Sequence, residues 1–256
     1  MNGRIVSFVN QKGGVGKTTT AVSVAAALGR RGQKVLLIDL DPQANATSAA
    51  GVAPNGHRGT YDALLEEVSA ADCIVPLAEE RFDILPASAA LAGAEVELVP
   101  VMARERRLEN AIGHLREQYD WLFIDCPPSL GLLTINALTA SDSVIIPVQC
   151  EYMALEGLSR LMETLDLVRR NLNPGLGILG VVLTMFDPRT RLAQQVVDEV
   201  RTHFPQTFIT VIPRAVRLSE APSHGQSIFR YDPAGRAAAA YDALAAELLE
   251  RTGVAV

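Results

Sequence analysis

The chain has 256 residues, 48% of them hydrophobic and 20% charged, with a formal net charge of -6. That length suits one domain spanning residues 1–256 around a large core, and the acidic balance excludes a protein coated in basic surface, so any contact with nucleic acid has to come from a local patch. The three cysteines, Cys73, Cys126 and Cys150, are odd in number and form no CxxC pair, which speaks against a disulfide framework or a zinc site and for reduced, buried thiols.

The N-terminus, MNGRIVSFVNQKGG, enters a strand and a glycine-rich turn directly, without the apolar stretch and cleavage site of a signal peptide. No run of about 18 apolar residues follows. A cytoplasmic protein is expected. Short apolar runs at 5–9, 35–38, 82–85, 121–124, 143–148, 178–183 and 208–212 read as buried strands. Helical patterns at 18–31, 104–118, 132–140, 155–171 and 193–203 lie between most of them. Strand and helix alternating in this way predict an α/β fold, a doubly wound, mostly parallel sheet with helices on both faces. A last helix at 233–251 starts at a proline suited to a first helical turn and is expected to pack on the sheet. The stretch GVAPNGHRG at 51–59 reads as a surface loop.

The most informative segment is IVSFVNQKGGVGKTTT at 5–20. Gly13, Gly14 and Gly16 let the backbone curl so that successive N–H groups, those of Val15 and Thr19 among them, can face phosphate oxygens. A helix N-terminus adds its partial positive charge. Lys17 can then reach the β- and γ-phosphates, and the Thr18 hydroxyl can coordinate Mg²⁺. The layout predicts a P-loop NTPase, although the common pattern has glycine where this chain has Gln11 and leaves open the position of Lys12.

Two further strands deliver acids at the edge where α/β sheets bind ligands. VLLIDLDPQAN offers Asp39 and Asp41, and WLFIDCPPSL offers Asp125 after four apolar residues, the layout of a Walker B aspartate held to Mg²⁺ directly or through water. Asp39, nearer its strand, acts through the Mg²⁺ water shell or holds the loop.

KGGVGKT resembles the signature of the ParA/MinD family of deviant-Walker ATPases, and the segments at 181–200 and 210–233 resemble the chromosomal branch of ParA proteins, also called Soj, so that the likeness spans nearly the whole chain. The resemblance implies ATP and Mg²⁺ as cofactors and a nucleotide-sandwich homodimer in which Lys12 reaches the partner's nucleotide. It implies that Asp41 orients or activates the attacking water, which makes Lys12, Lys17 and Asp41 the expected catalytic residues. Thr18, Asp39 and Asp125 are the expected metal site. Pro213, Arg214, Glu220, Ala221 and Pro222 are expected near the adenine and the dimer interface.

The same resemblance implies nonspecific binding of double-stranded DNA by the ATP-bound dimer, a ParB-type centromere-binding partner that stimulates slow hydrolysis, and a place on the nucleoid within the cytoplasm. Residues 189–236 hold seven arginines against four acids, a locally basic balance in an acidic chain. Arg189, Arg191, Arg217 and Arg230 are the expected DNA contacts, since the guanidinium fork suits phosphate oxygens. Two other classes compete. A MinD-like membrane switch needs a basic amphipathic tail, whereas YDALAAELLERTGVAV has three acids and one arginine. A ligase using ATP to activate a carboxylate is not expected to carry the Lys12 match. Related ParA-like switches for another cargo share the same chemistry.

Overall fold

A strand with apolar side chains on both sides of its pleat has to be covered on both faces, and most strands of this chain are of that kind. The computed structural model describes residues 3–54, 57–65, 67–151 and 154–254. Its strands are β1 (Arg4–Phe8), β2 (Val35–Asp39), β3 (Val75–Leu77), β4 (Phe82–Leu85), β5 (Trp121–Asp125), β6 (Ser143–Gln149), β7 (Gly177–Phe186) and β8 (Thr207–Pro213). They form one sheet in the order β3-β4-β2-β5-β1-β6-β7-β8, parallel throughout except for the antiparallel pair β3 and β4.

The helices in the first half of the chain are α1 (Lys17–Arg30), α2 (Asn45–Ala49), α3 (Thr60–Leu64), α4 (Leu91–Glu97) and α5 (Arg107–Ile112). The rest are α6 (Leu132–Ala140), α7 (Ala154–Asn171), α8 (Arg191–His203), α9 (Arg217–Glu220), α10 (Ile228–Tyr231) and α11 (Arg236–Thr252). Val6 and Phe8 of β1, with Leu37, Phe123 and Phe208, pack under α1 and α11 on one face. Ile5 and Val9, with Leu36, Ile38, Ile124 and Ile146, pack under residues of α3 to α8 on the other. This is the expected doubly wound arrangement. α1 lies almost wholly buried, and its run of alanines permits that close seating on the sheet.

Three expectations need correction. The region 104–118 is not one helix but α5 flanked by 3₁₀ turns at Arg104–Arg106 and Gly113–Glu117. Ala103 is left-handed there, and the Asn136 Oδ1 accepts the Leu108 N–H at 3.1 Å, which fixes where the α-helix starts. The last helix begins at Arg236 rather than at Pro233, because the Gly235 N–H donates to the Asp232 carbonyl and closes a turn with Pro233 at its second position, where a fixed φ suits it. Strand β3, three residues including Pro76, was not expected; it sits at the sheet edge, where a missing N–H is tolerated.

Candidate functional site

β1 lies between β5 and β6, while the chain leaves it for β2 on the far side of β5, so the strand order reverses at the carboxyl end of β1. An α/β sheet opens a ligand crevice at such a point, and the glycine-rich loop occupies it. Gly14 and Gly16 have φ of 75° and 87°, a left-handed backbone that resists a side chain. Gly16 caps α1 without any side-chain cap, which leaves the first N–H groups of that helix facing outward.

Residues outside the motif hold this loop. The Asn10 Nδ2 donates to the Pro147 carbonyl at 2.7 Å while its Oδ1 accepts the Lys12 N–H at 2.9 Å. The Thr184 Oγ1 donates to the Val15 carbonyl at 2.8 Å. Thr184 carries no local signal of this duty, since it reaches the loop only through the pairing of β6 with β7. Its neighbour Met185 takes φ 55°, a strained value for a residue with a side chain, and lines the cavity beside the loop.

The two lysines differ. Lys17 is buried, its Nζ 3.4 Å from the Lys12 carbonyl, and burial lowers its pKa more than Asp125, Cys126 and Asp41 raise it. Lys12 is half exposed and its Nζ lies 3.1 Å from the Glu151 Oε2. An ion pair so open contributes on the order of 0.2–1 kcal/mol, so Lys12 is held outward but lightly.

Asp39 and Asp125 face each other in register on β2 and β5, both buried. Asp39 is engaged by its own loop. One oxygen accepts the Asp41 N–H at 3.1 Å, the other the Thr47 N–H and hydroxyl at 2.8 and 2.7 Å, and burial still raises its pKa to about 6. Burial and the nearby Asp39 charge push Asp125 well above the usual carboxylate range. Thr18 and Lys17 act the other way, yet neither closes a hydrogen bond in good geometry, and both Asp125 oxygens are buried without a partner.

An orphaned carboxylate beside a serviceable hydroxyl fits a divalent cation held by Asp125 and Thr18. Among the described residues no three His, Cys, Asp or Glu side chains converge on one point, so such an ion completes its shell with phosphates and water. Asp41 projects further out, with one oxygen accepting the Gln43 N–H at 2.9 Å.

A cavity of about 630 Å³ opens beside the loop, lined by Gly13, Gly14, Gly16, Lys17, Thr18, Thr19 and Asp41, and by Asn45, Ser48, Ala221, Pro222, Ser227 and others. Pro213 and Arg214 line an adjoining cavity of about 280 Å³ that shares Gly16, Thr19 and Met185. Glu220 is taken up elsewhere, by Arg217 at 2.8 Å and the Tyr231 hydroxyl at 3.1 Å.

The expected DNA contacts do not share one setting. Arg189 is largely exposed and forks onto Asp187 at 2.9 and 2.6 Å, which holds the Asp187 pKa down at about 2. Arg191 opens α8, exposed. Arg217 pairs with Glu220 over the Tyr231 ring. Arg230 is less exposed and is engaged by both Glu79 and Glu80, a structural use that sequence counting missed. The three cysteines are free and buried.

Residues 3–178 match the protein family described as AAA domain. The chain is 54% identical over 248 residues to the sporulation initiation inhibitor protein Soj of Bacillus subtilis, covering 96% of this chain and 98% of that one. It is 51% identical over 251 residues to the chromosome partitioning protein ParA of Myxococcus xanthus, covering 97% and 89%. A solved structure of cobyrinic acid a,c-diamide synthase from Mycobacterium smegmatis, with bound ATP analog and magnesium, superposes with a TM-score of 0.86 at 36% identity, covering 98% and 96%. Identity above one residue in two, sustained from end to end, gives the phosphate loop its family setting: this chain belongs to the ParA/Soj family of chromosome-partitioning P-loop ATPases.

Proposed function

We propose that this chain is an ATP-driven switch for chromosome or plasmid segregation, a single ATPase domain working on the nucleoid. It binds ATP with Mg²⁺, forms a nucleotide-sandwich homodimer, and in that state binds duplex DNA without sequence preference. Hydrolysis is slow until a ParB-type partner stimulates it. Lys17 and the loop N–H groups hold the phosphates, Asp125 and Thr18 hold the metal with Asp39 fixing the loop behind them, and Asp41 orients the water. Phosphoryl transfer is mostly positioning and charge stabilisation.

The observation that carries this reading is the position of Lys12. A second cation in the phosphate loop that leaves the cradle to Lys17 and rests on Glu151 in a weak, open pair is suited to act on another subunit's nucleotide, as an arginine finger does. Release from Glu151 costs little. The same lysine, together with the higher identity to Soj and ParA, argues against the amide synthase that the diamide synthase neighbour brings to mind. A MinD-like use of the tail is opposed by α11, whose apolar face is already buried against the sheet. No helix of the described residues is long and apolar enough to cross a membrane.

The test is ATP hydrolysis with and without random duplex DNA and a candidate ParB-type protein. Segregation predicts low basal turnover raised by the two together. Turnover that ignores both and follows an added carboxylic acid and amide donor overturns the reading in favour of a synthase. Stimulation by another adaptor alone points to a different cargo.

A further inference from the structure

Glu80 sits at the tip of the hairpin joining β3 to β4, where a charged side chain ordinarily faces water. The tip is tight, with the Glu80 and Arg81 N–H groups both donating to the Leu77 carbonyl and Arg81 at φ 63°. Yet the Glu80 side chain is 3% exposed. Its Oε1 accepts the Ser227 backbone N–H at 3.2 Å and Arg230 Nη1 at 3.2 Å, and Glu79 pairs with the other end of that guanidinium.

What the carboxylate grips is a wall of the nucleotide cavity. Ser227 and its neighbours Gln226 and Ile228 line the space that opens from the phosphate loop. The preceding Gly225 packs against Gly51 so closely that a side chain on Gly51 would meet its carbonyl. The wall is therefore held by backbone contact at one end and by Glu80 at the other. The Glu80 Oε2 and the Ser227 Oγ remain buried without partners. A fold gains little from a buried, half-satisfied acid when an apolar residue of similar size would serve, so a role in placing the wall accounts for its presence better than packing does.

We propose that Glu80 and Arg230 are positioning residues of the ATP site. The Glu80 carboxylate anchors the Ser227 N–H, Arg230 orients and neutralises that carboxylate, and together they hold 226–228 where the part of ATP beyond the phosphates rests. This rests on the reading of the cavity as an ATP site, and it removes Arg230 from the DNA contacts. Neither residue reaches the reacting phosphate, so their loss is felt in nucleotide affinity and not in the chemical step.

The experiment compares Glu80→Ala, Glu80→Gln, Arg230→Ala and wild type in steady-state ATP hydrolysis, with circular dichroism to show that each is folded. Losing a hydrogen bond to a charged group is expected to raise KM for ATP about tenfold in Glu80→Ala and Arg230→Ala while kcat stays within about twofold. Glu80→Gln keeps an oxygen for the Ser227 N–H and is expected within about threefold of wild-type KM. At saturating ATP, Arg230→Ala leaves the slope of log DNA affinity against log salt at its wild-type value. Wild-type KM in folded Glu80→Ala or folded Arg230→Ala, a fall in kcat at unchanged KM, or a salt slope lowered by about 0.9 in Arg230→Ala overturns the proposal. If wild type itself fails to bind ATP, the reading of the cavity falls and takes this inference with it.

Discussion

The acids beneath the phosphate loop and the arginines of residues 189–236 hold opposite charge in opposite settings. Asp125 and Asp39 are buried side by side, and neither Asp125 oxygen closes a hydrogen bond in good geometry. Arg189 and Arg217 stand in solvent, each already matched by an acid two or three positions away in the chain. Burying a carboxyl group without hydrogen-bond partners destabilises a fold, so its persistence points to a ligand that supplies what is missing. An exposed, paired arginine stabilises the fold little and points nowhere by itself. The nucleotide end is therefore specified by the monomer, whereas the basic face of the proposed function has to be assembled, by doubling in the proposed dimer and by exchange of acid partners for phosphates.

The sharpest break at the nucleotide end is Lys17→Ala. It removes the buried cation from the cradle, and ATP affinity in calorimetry is expected to fall about a hundredfold or more. Retained wild-type affinity would move the phosphates elsewhere. Asp41→Ala is next. In the proposed function its carboxylate serves the water and not the ground-state nucleotide, so ATP binding and ATP-dependent dimerisation should persist while kcat drops by roughly 10²–10⁴. Near-normal single-turnover hydrolysis would reassign the role.

The same contrast explains what could be read from sequence. The phosphate loop and Asp125 were legible because motif spacing and strand ends are local, and seven of the eight strands among the described residues were legible because their apolar runs must be buried on both faces. Asn10, Thr184 and Glu80 were not, since each acts through a partner that only the sheet order or a hairpin brings near. Short helices such as α2 and α10, at five and four residues, are too brief to show a period. Arginine counting did not show the pairing of Arg230 for a related reason, because Glu79 and Glu80 lie about 150 positions away in the chain.

A smaller effect follows from the buried acids without nucleotide. The Asp39 carboxyl titrates at about 6 against 3.8 for an ordinary aspartate, and Asp125 is raised as well. Both keep a proton to higher pH in the fold than in the unfolded chain. The Asp39 contribution is therefore complete below the unfolded value and lost as pH rises through about 6, and that of Asp125, raised in the same direction, is likewise lost as pH rises. The depressed acids Asp187 and Glu247 act below that window, and Lys17 acts toward alkaline pH. In buffer with EDTA and no nucleotide, Tm should fall between pH 5 and pH 7 by roughly 5–10 °C. Asp125→Asn should flatten that fall and lose the extra stability that wild type gains from ATP with Mg²⁺. A flat wild-type profile would mean that the two acids are matched within the fold.

The smallest effect belongs to the arginine segment and decides whether the other half of the comparison holds. If phosphates displace Asp187 and Glu220 from Arg189 and Arg217, each lost contact should lower the slope of log affinity against log salt by about 0.9, whatever the duplex sequence. Arg189→Glu and Arg217→Glu should therefore weaken binding to all duplexes alike, with more effect at low salt, and leave ATP affinity as it was. Removing the competitor should act in reverse. Asp187→Asn frees the Arg189 fork and removes one negative charge beside it, so it is expected to tighten ATP-dependent DNA binding by a few-fold at low salt. Titrations at several salt concentrations with one random duplex separate these outcomes. Unchanged slopes in both arginine variants, with Asp187→Asn equal to wild type, would mean that these pairs only solvate the surface and that the basic face lies elsewhere.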